Sequence, residues 1–86
     1  MSEVSRFYGI VVRMFHREHM PPHFHAVYGE FEALVSIDSL VVIKGNLPPR
    51  ALGLVIEWAT IHQKELINNW YNAINFQNLN RIEPLK

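Results

Sequence analysis

Imidazole side chains crowd one short stretch of this 86-residue chain: of five histidines, four fall in the run Phe15-His-Arg-Glu-His-Met-Pro-Pro-His-Phe-His-Ala26, at His16, His19, His23 and His25. Imidazole titrates near neutrality and is also the commonest metal ligand, so the cluster suits either proton transfer or metal binding. The chain has no cysteine, so a metal here would take His, Asp, Glu or water as ligands. The spacing His-x2-His-x3-His-x-His matches no zinc finger. It also matches no helical His-Glu-x-x-His site, because Pro21 and Pro22 forbid a helix between His19 and His23.

Three chemistries are open to these residues. In the first, His16, His23 and His25 hold zinc or another first-row divalent ion, with His19 or a carboxylate (Glu18, Glu30 or Glu32) as a further donor. In the second, which needs no metal, Arg13 and Arg17 grip a phosphate while His23 or His25 moves a proton and Tyr28 or Glu32 assists, as in a small ribonuclease. His23, His25 and Arg17 are its catalytic candidates. In the third, His23 and His25 are structural donors to backbone carbonyls or Glu side chains, and His16 and His19 are solvated loop residues. Four neighbouring imidazoles repel one another when protonated and bring no packing advantage over apolar residues, which favours a local function.

The elements that must position these residues are legible from period and punctuation. Phe7 to Phe15 is rich in β-branched and aromatic residues and reads as a strand, with Phe7 and Tyr8 in the strand core. Arg17 to Pro22 reads as a loop. His23 to Tyr28 and Phe31 to Ile37 read as two strands joined by a two-residue type II′ turn at Gly29-Glu30. Asp38-Ser39 offers another turn before a fourth strand, Leu40 to Lys44, which Gly45-Asn46 ends. Alternate strand residues share a face, so His23 and His25 project together, about 7 Å apart, while Phe24 and Ala26 turn away.

From Pro48-Pro49 the period becomes helical: Leu52, Val55, Ala59, Leu66, Trp70 and Ala73 recur at spacings of three, four or seven. One long helix from Pro49 to Ala73 would span roughly 37 Å and cross the sheet, with Gly53 its weak point. His62 falls on the apolar stripe and reads as a partly buried, hydrogen-bonded helix residue. Trp58 and Trp70 sit about 120° apart on one helix, so at least one is expected at an edge or against a partner. Arg50, Lys64 and Arg81 read as solvated charges. The tail from Phe76 to Lys86 adds a short edge strand or docks on the helix. The fold class is therefore α+β, one domain over residues 1–86: a small, mainly antiparallel four-stranded meander packed on one long C-terminal helix.

Composition bounds the function. Hydrophobic residues make up 49% and charged residues 19% of the chain, which excludes intrinsic disorder, and no apolar run reaches membrane length. Eight basic residues balance eight acidic ones, which argues against nucleic acid as a partner, and there is no helix-turn-helix pair for a DNA-binding regulator. The amino terminus lacks the pattern of a secretion signal, so a cytoplasmic location is expected. An exposed sheet edge leaves a homodimer open.

Pro21-Pro-His-Phe-His25, Tyr28-Gly-Glu30, Leu47-Pro-Pro-Arg-Ala-Leu52, Glu57-Trp58 and Ile82-Glu-Pro-Leu85 together resemble the bacterial domain-of-unknown-function 4160 family over nearly the whole chain. The most specific part is the Pro-Pro-His-x-His element. The resemblance implies a small α+β protein encoded beside a second small protein, of the domain-of-unknown-function 2442 family, in a pair similar to a toxin and its antitoxin. It settles no activity. The leading expectation is thus one component of a two-gene module that binds a companion protein and uses the histidine segment as its functional surface. The alternative is a metal-dependent or His/Arg-based nuclease or hydrolase.

Overall fold

The computed structural model describes residues 2–86, with five strands followed by two helices: β1 (Ser2–Phe7), β2 (Ile10–Met14), β3 (His23–Tyr28), β4 (Phe31–Ser36), β5 (Val42–Gly45), α1 (Pro49–Ile61) and α2 (Gln63–Ile74). The strands pair in chain order, every pair antiparallel, so the sheet is a meander with β3 at its centre. Gly29, at φ 58, makes the β3–β4 turn and sets Tyr28 opposite Phe31 and His25 opposite Leu34. This is the type II′ hairpin that the sequence indicates.

The sheet has five strands rather than four because the stretch starting at Phe7 is not one strand. Tyr8 and Gly9 both take positive φ, 50° and 80°, the signature of a type I′ turn. Phe7 therefore pairs with Ile10, and residues 2–7 become an additional edge strand. Phe7 is buried as expected, whereas Tyr8 is 60% exposed at the turn. At the other edge, Leu40 is left-handed at φ 58, so β5 begins two residues later than the sequence suggests.

The helical segment is also divided. Helix α1 starts on Pro49, as its proline predicts, but the break falls at His62, φ −111° and ψ 23°, and not at Gly53. Two interactions converge on it. The Thr60 hydroxyl donates to the Ile56 carbonyl at 2.7 Å, a back-bond that bends helices. One turn on, Gln63 Nε2 donates to the carbonyls of Ile37, at 2.6 Å, and Asp38, at 3.1 Å, which ties the junction to the end of β4. The bend re-aims α2, so Trp58 and Trp70 are both buried, at 0% and 2% exposure. The expectation that one of them lies at an edge rested on a continuous helix.

The core lies between the helices and one face of the sheet. From α1 it takes Ala51, Val55, Trp58 and Ala59, and from α2 Leu66, Trp70 and Ala73. Ile10, Val12, Phe24, Ala26, Ala33 and Val35, all fully buried, supply the sheet face. The tail forms no strand and docks. Ile82 N donates to Val4 O at 2.8 Å, Trp58 Nε1 donates to Glu83 O at 2.8 Å, and buried Asn69 exchanges two hydrogen bonds with the Asn80 backbone. Arg81 is not merely solvated, since it joins Arg6 on the Glu3 carboxylate. Those guanidinium hydrogen bonds hold that carboxyl down at about 2.

Gly45 sits at φ +77, and a Cβ there would lie 2.2 Å from the Glu32 carbonyl oxygen. Gly45→Ala is expected to cost about 2 kcal/mol or more, from left-handed strain plus the backbone clash. For a domain of this size that lowers the melting midpoint by roughly 8 °C or more. A midpoint within about 2 °C of wild type would refute this account of the β4–β5 junction.

Candidate metal centre

His23 and His25 occupy alternate positions of the central strand, and the sheet orients them through the residues between and beyond them. Phe24 and Ala26, at 0% exposure, are locked into the core, so the pleat turns His25 and Val27 to the opposite face. The rings of His23 and His25 lie 5.4 Å apart. His25 is braced edge-on by Phe15 at 4.7 Å, and His23 lies 5.2 Å from the Trp70 ring of α2.

The tautomer of His23 follows from its partner. Its Nδ1 lies 2.8 Å from the Pro21 carbonyl, which can only accept, so Nδ1 carries a proton and donates it. Nε2 is left with no hydrogen-bond partner although the residue is 94% buried, and it faces Glu18 Oε1 at 3.4 Å. His25 Nε2 approaches the same oxygen at 2.5 Å, and its Nδ1 lies 2.9 Å from Glu32 Oε2. Two imidazole nitrogens and a carboxylate oxygen therefore converge, all within 4.8 Å of one another.

Glu18 reaches this point from the loop between β2 and β3, where Arg17 is left-handed at φ 64 and the Met20–Pro21 peptide is cis. Burial pushes the Glu18 carboxyl up, but hydrogen bonding and charge attraction from His25 and His23 outweigh it and hold the group below the usual carboxylate range. Glu32 comes from the hairpin register. It stands opposite Val27, on the face and beside the strand that carry His25.

The structure brings together only some of the residues that the sequence offers. His16 lies outside the group: its Nε2 donates to Gln77 O at 3.1 Å and its ring stacks on Phe76. Arg17 lies over the same Phe76 ring, 5.9 Å from its centroid, so it grips nothing at the histidines. Tyr28 follows the pleat to the core face and packs beneath Gly9, while Arg13 pairs with His25 across β2 and β3. His19 lines a pocket with Glu18 and His23. Glu30 belongs to the exposed turn. His62 is partly buried and bonded to Glu65, as expected, but at the helix junction. Glu18 was one of several carboxylates open to selection, and nothing in the sequence reveals the loop path that selects it. Glu32 as a partner of His25 could have been read from the two-residue turn.

With a proton on Nδ1 alone, His23 would turn its Nε2 lone pair to a carboxylate 3.4 Å away, a repulsive arrangement that either a second proton on Nε2 or a metal cation between the two relieves. Protons on both His25 nitrogens would satisfy Glu18 and Glu32 but would leave His23 Nε2 unpaired. A divalent cation at the point of convergence would satisfy all three atoms, and Glu32 and the Pro21 carbonyl would then orient the two imidazoles. Two histidines and one carboxylate with an open position match catalytic zinc sites and non-haem iron sites.

The family model described as Domain of unknown function (DUF4160) matches residues 9–71, which include every residue of this group. No curated protein and no solved structure matches the chain. No helix among the described residues is long and apolar enough to cross a membrane.

Because the folded state lowers the Glu18 titration, the unfolded chain takes up that proton first on acidification. The stabilisation is therefore fully present above the ordinary value of 4.5 and is lost as pH falls through the lower folded value. In a chelator, melting midpoints followed down from pH 6 should fall more steeply for wild type than for Glu18→Gln. Superimposable profiles would show that the imidazole contacts of Glu18 contribute nothing.

Proposed function

The chain belongs to the DUF4160 family, a domain of unknown function, and on that premise we propose that it is a metal-dependent protein, with a hydrolase the best-supported class. Its first-row divalent ion, zinc foremost, is held by His23 Nε2, His25 Nε2 and a Glu18 oxygen. The observation that carries this reading is the buried His23 Nε2, which has no hydrogen-bond partner and faces the Glu18 carboxylate beside His25 Nε2. Three protein ligands would leave a position for water, and a divalent ion held there would supply the acidity that activates such a water near neutral pH. Glu32 keeps the His25 ring in place through Nδ1.

The companion-protein reading stands beside this one. Strand β5 is a free edge of the sheet, and Val41 and Ile43 are 60% and 46% exposed on or next to it, a surface suited to strand addition by a second chain. The other edge, β1, is partly covered by the tail through Ile82.

Untagged protein titrated with zinc is expected to bind one equivalent. His23→Ala, His25→Ala and Glu18→Gln should each weaken binding by about 100-fold or more, and Glu32→Gln by about 10- to 100-fold. His16→Ala should bind as wild type does. Absence of stoichiometric binding by folded wild-type protein, or loss on His16→Ala equal to that on His23→Ala, would overturn the assignment. For the companion reading, co-expression with a neighbouring small protein should give one co-eluting species that Ile43→Lys dissociates. Two species that never associate would remove that reading and leave the metal centre untouched.

A further inference from the structure

The surroundings of the converging atoms differ sharply on their two sides. On one side lies a pocket of about 220 Å³ lined by Glu18, His19, Met20, Pro21, His23, Leu34 and Ile43. On the other, across Leu34, a recess is lined by His25, Glu32, Leu34, Lys44 and Gly45. The first is lined by two of the three converging residues and the second by only one, so a ligand would reach a metal held there from the first.

The walls of that pocket are apolar. Pro21, Leu34 and Ile43 form them with Met20, whose 72% exposure makes it an unbranched, adaptable flap at the rim. No lysine or arginine lines it. Lys44 belongs to the far recess, Arg17 is engaged on Phe76, and Arg13, although it stands across from His25 on β2, lines neither pocket. A phosphodiester or a nucleic acid backbone calls for cations beside the metal to offset its charge, and the carboxylate in the lining of this pocket is Glu18. His19 is exposed at the mouth.

The geometry points to a carbonyl ligand bearing an apolar substituent, an acyl ester or amide, whose carbonyl oxygen meets the metal while the substituent lies between Met20, Leu34 and Ile43. This assignment deepens the metal-centre reading and rests on it. It also separates this chain from the nuclease that a histidine and arginine cluster suggests, because the cations do not line the side on which the metal is open.

Cobalt(II)-loaded protein gives the test, since visible absorption of the ion reports both its coordination and any ligand added to it. The probes are hydroxamates of increasing alkyl length, from acetyl to hexanoyl, together with inorganic phosphate. Affinity is expected to rise roughly fourfold for each methylene added, and phosphate should leave the spectrum unchanged at concentrations where the hexanoyl compound saturates. Ile43→Ser and Met20→Ser, one on the edge strand and one on the exposed loop, should each flatten the chain-length series while leaving the cobalt spectrum intact. A flat series in wild type, or phosphate binding as tightly as the hexanoyl compound, would overturn the substrate class and spare the metal centre. Failure of cobalt to give any bound spectrum would overturn both.

Discussion

The pleat of β3 is the constraint on which the remainder of the molecule depends. Phe24 and Ala26 are fully buried between the sheet and the helices, and the intervening residues have no choice of face. A shift of one residue in register would bury His25 and expose Phe24, exchanging core for site along the whole strand. Neighbouring strands β2 and β4 hold that register on both sides. Because β3 is the middle strand of five, its histidines inherit the rigidity of the sheet rather than the mobility of an edge.

The loop that brings Glu18 to these histidines is anchored less conventionally. Helix α2 ends with Gln77 N donating to Asn72 O and Phe76 N donating to Ala73 O, with Phe76 at φ 56. This is a Schellman arrangement in which an aromatic residue fills the position that glycine usually takes. The ring of Phe76 is then used, since His16 stacks on it and Arg17 lies over it. Two residues that carry chemistry in a reading of the sequence thus moor the start of the loop. One residue further along, Glu18 turns to His23 and His25.

Much of the fold was legible because the signals were local. The Gly29-Glu30 turn, the alternation from His23 to Ile37 and the proline opening α1 each encode their own geometry. The division at Tyr8-Gly9 was hidden because tyrosine is a good strand former and the apolar pattern continues through the turn. The helix break was hidden because its causes are a hydroxyl back-bond at Thr60 and a long-range contact from Gln63 to the end of β4. For the site, pleating alone brought His23 and His25 together. The third donor depends on the path of a loop containing a left-handed Arg17, and no periodicity encodes that path.

The contact between Trp70 and His23 makes the molecule its own optical gauge. Each of the two indoles touches an imidazole, but Trp58 faces His62 whereas Trp70 faces a nitrogen-bearing ring of the converging group. The emission of a single indole in the core thereby becomes sensitive to the electronic state of the cluster. A paramagnetic ion bound there would darken Trp70 more than Trp58, whose ring partners are Phe7, Phe24 and His62 and none of the converging residues.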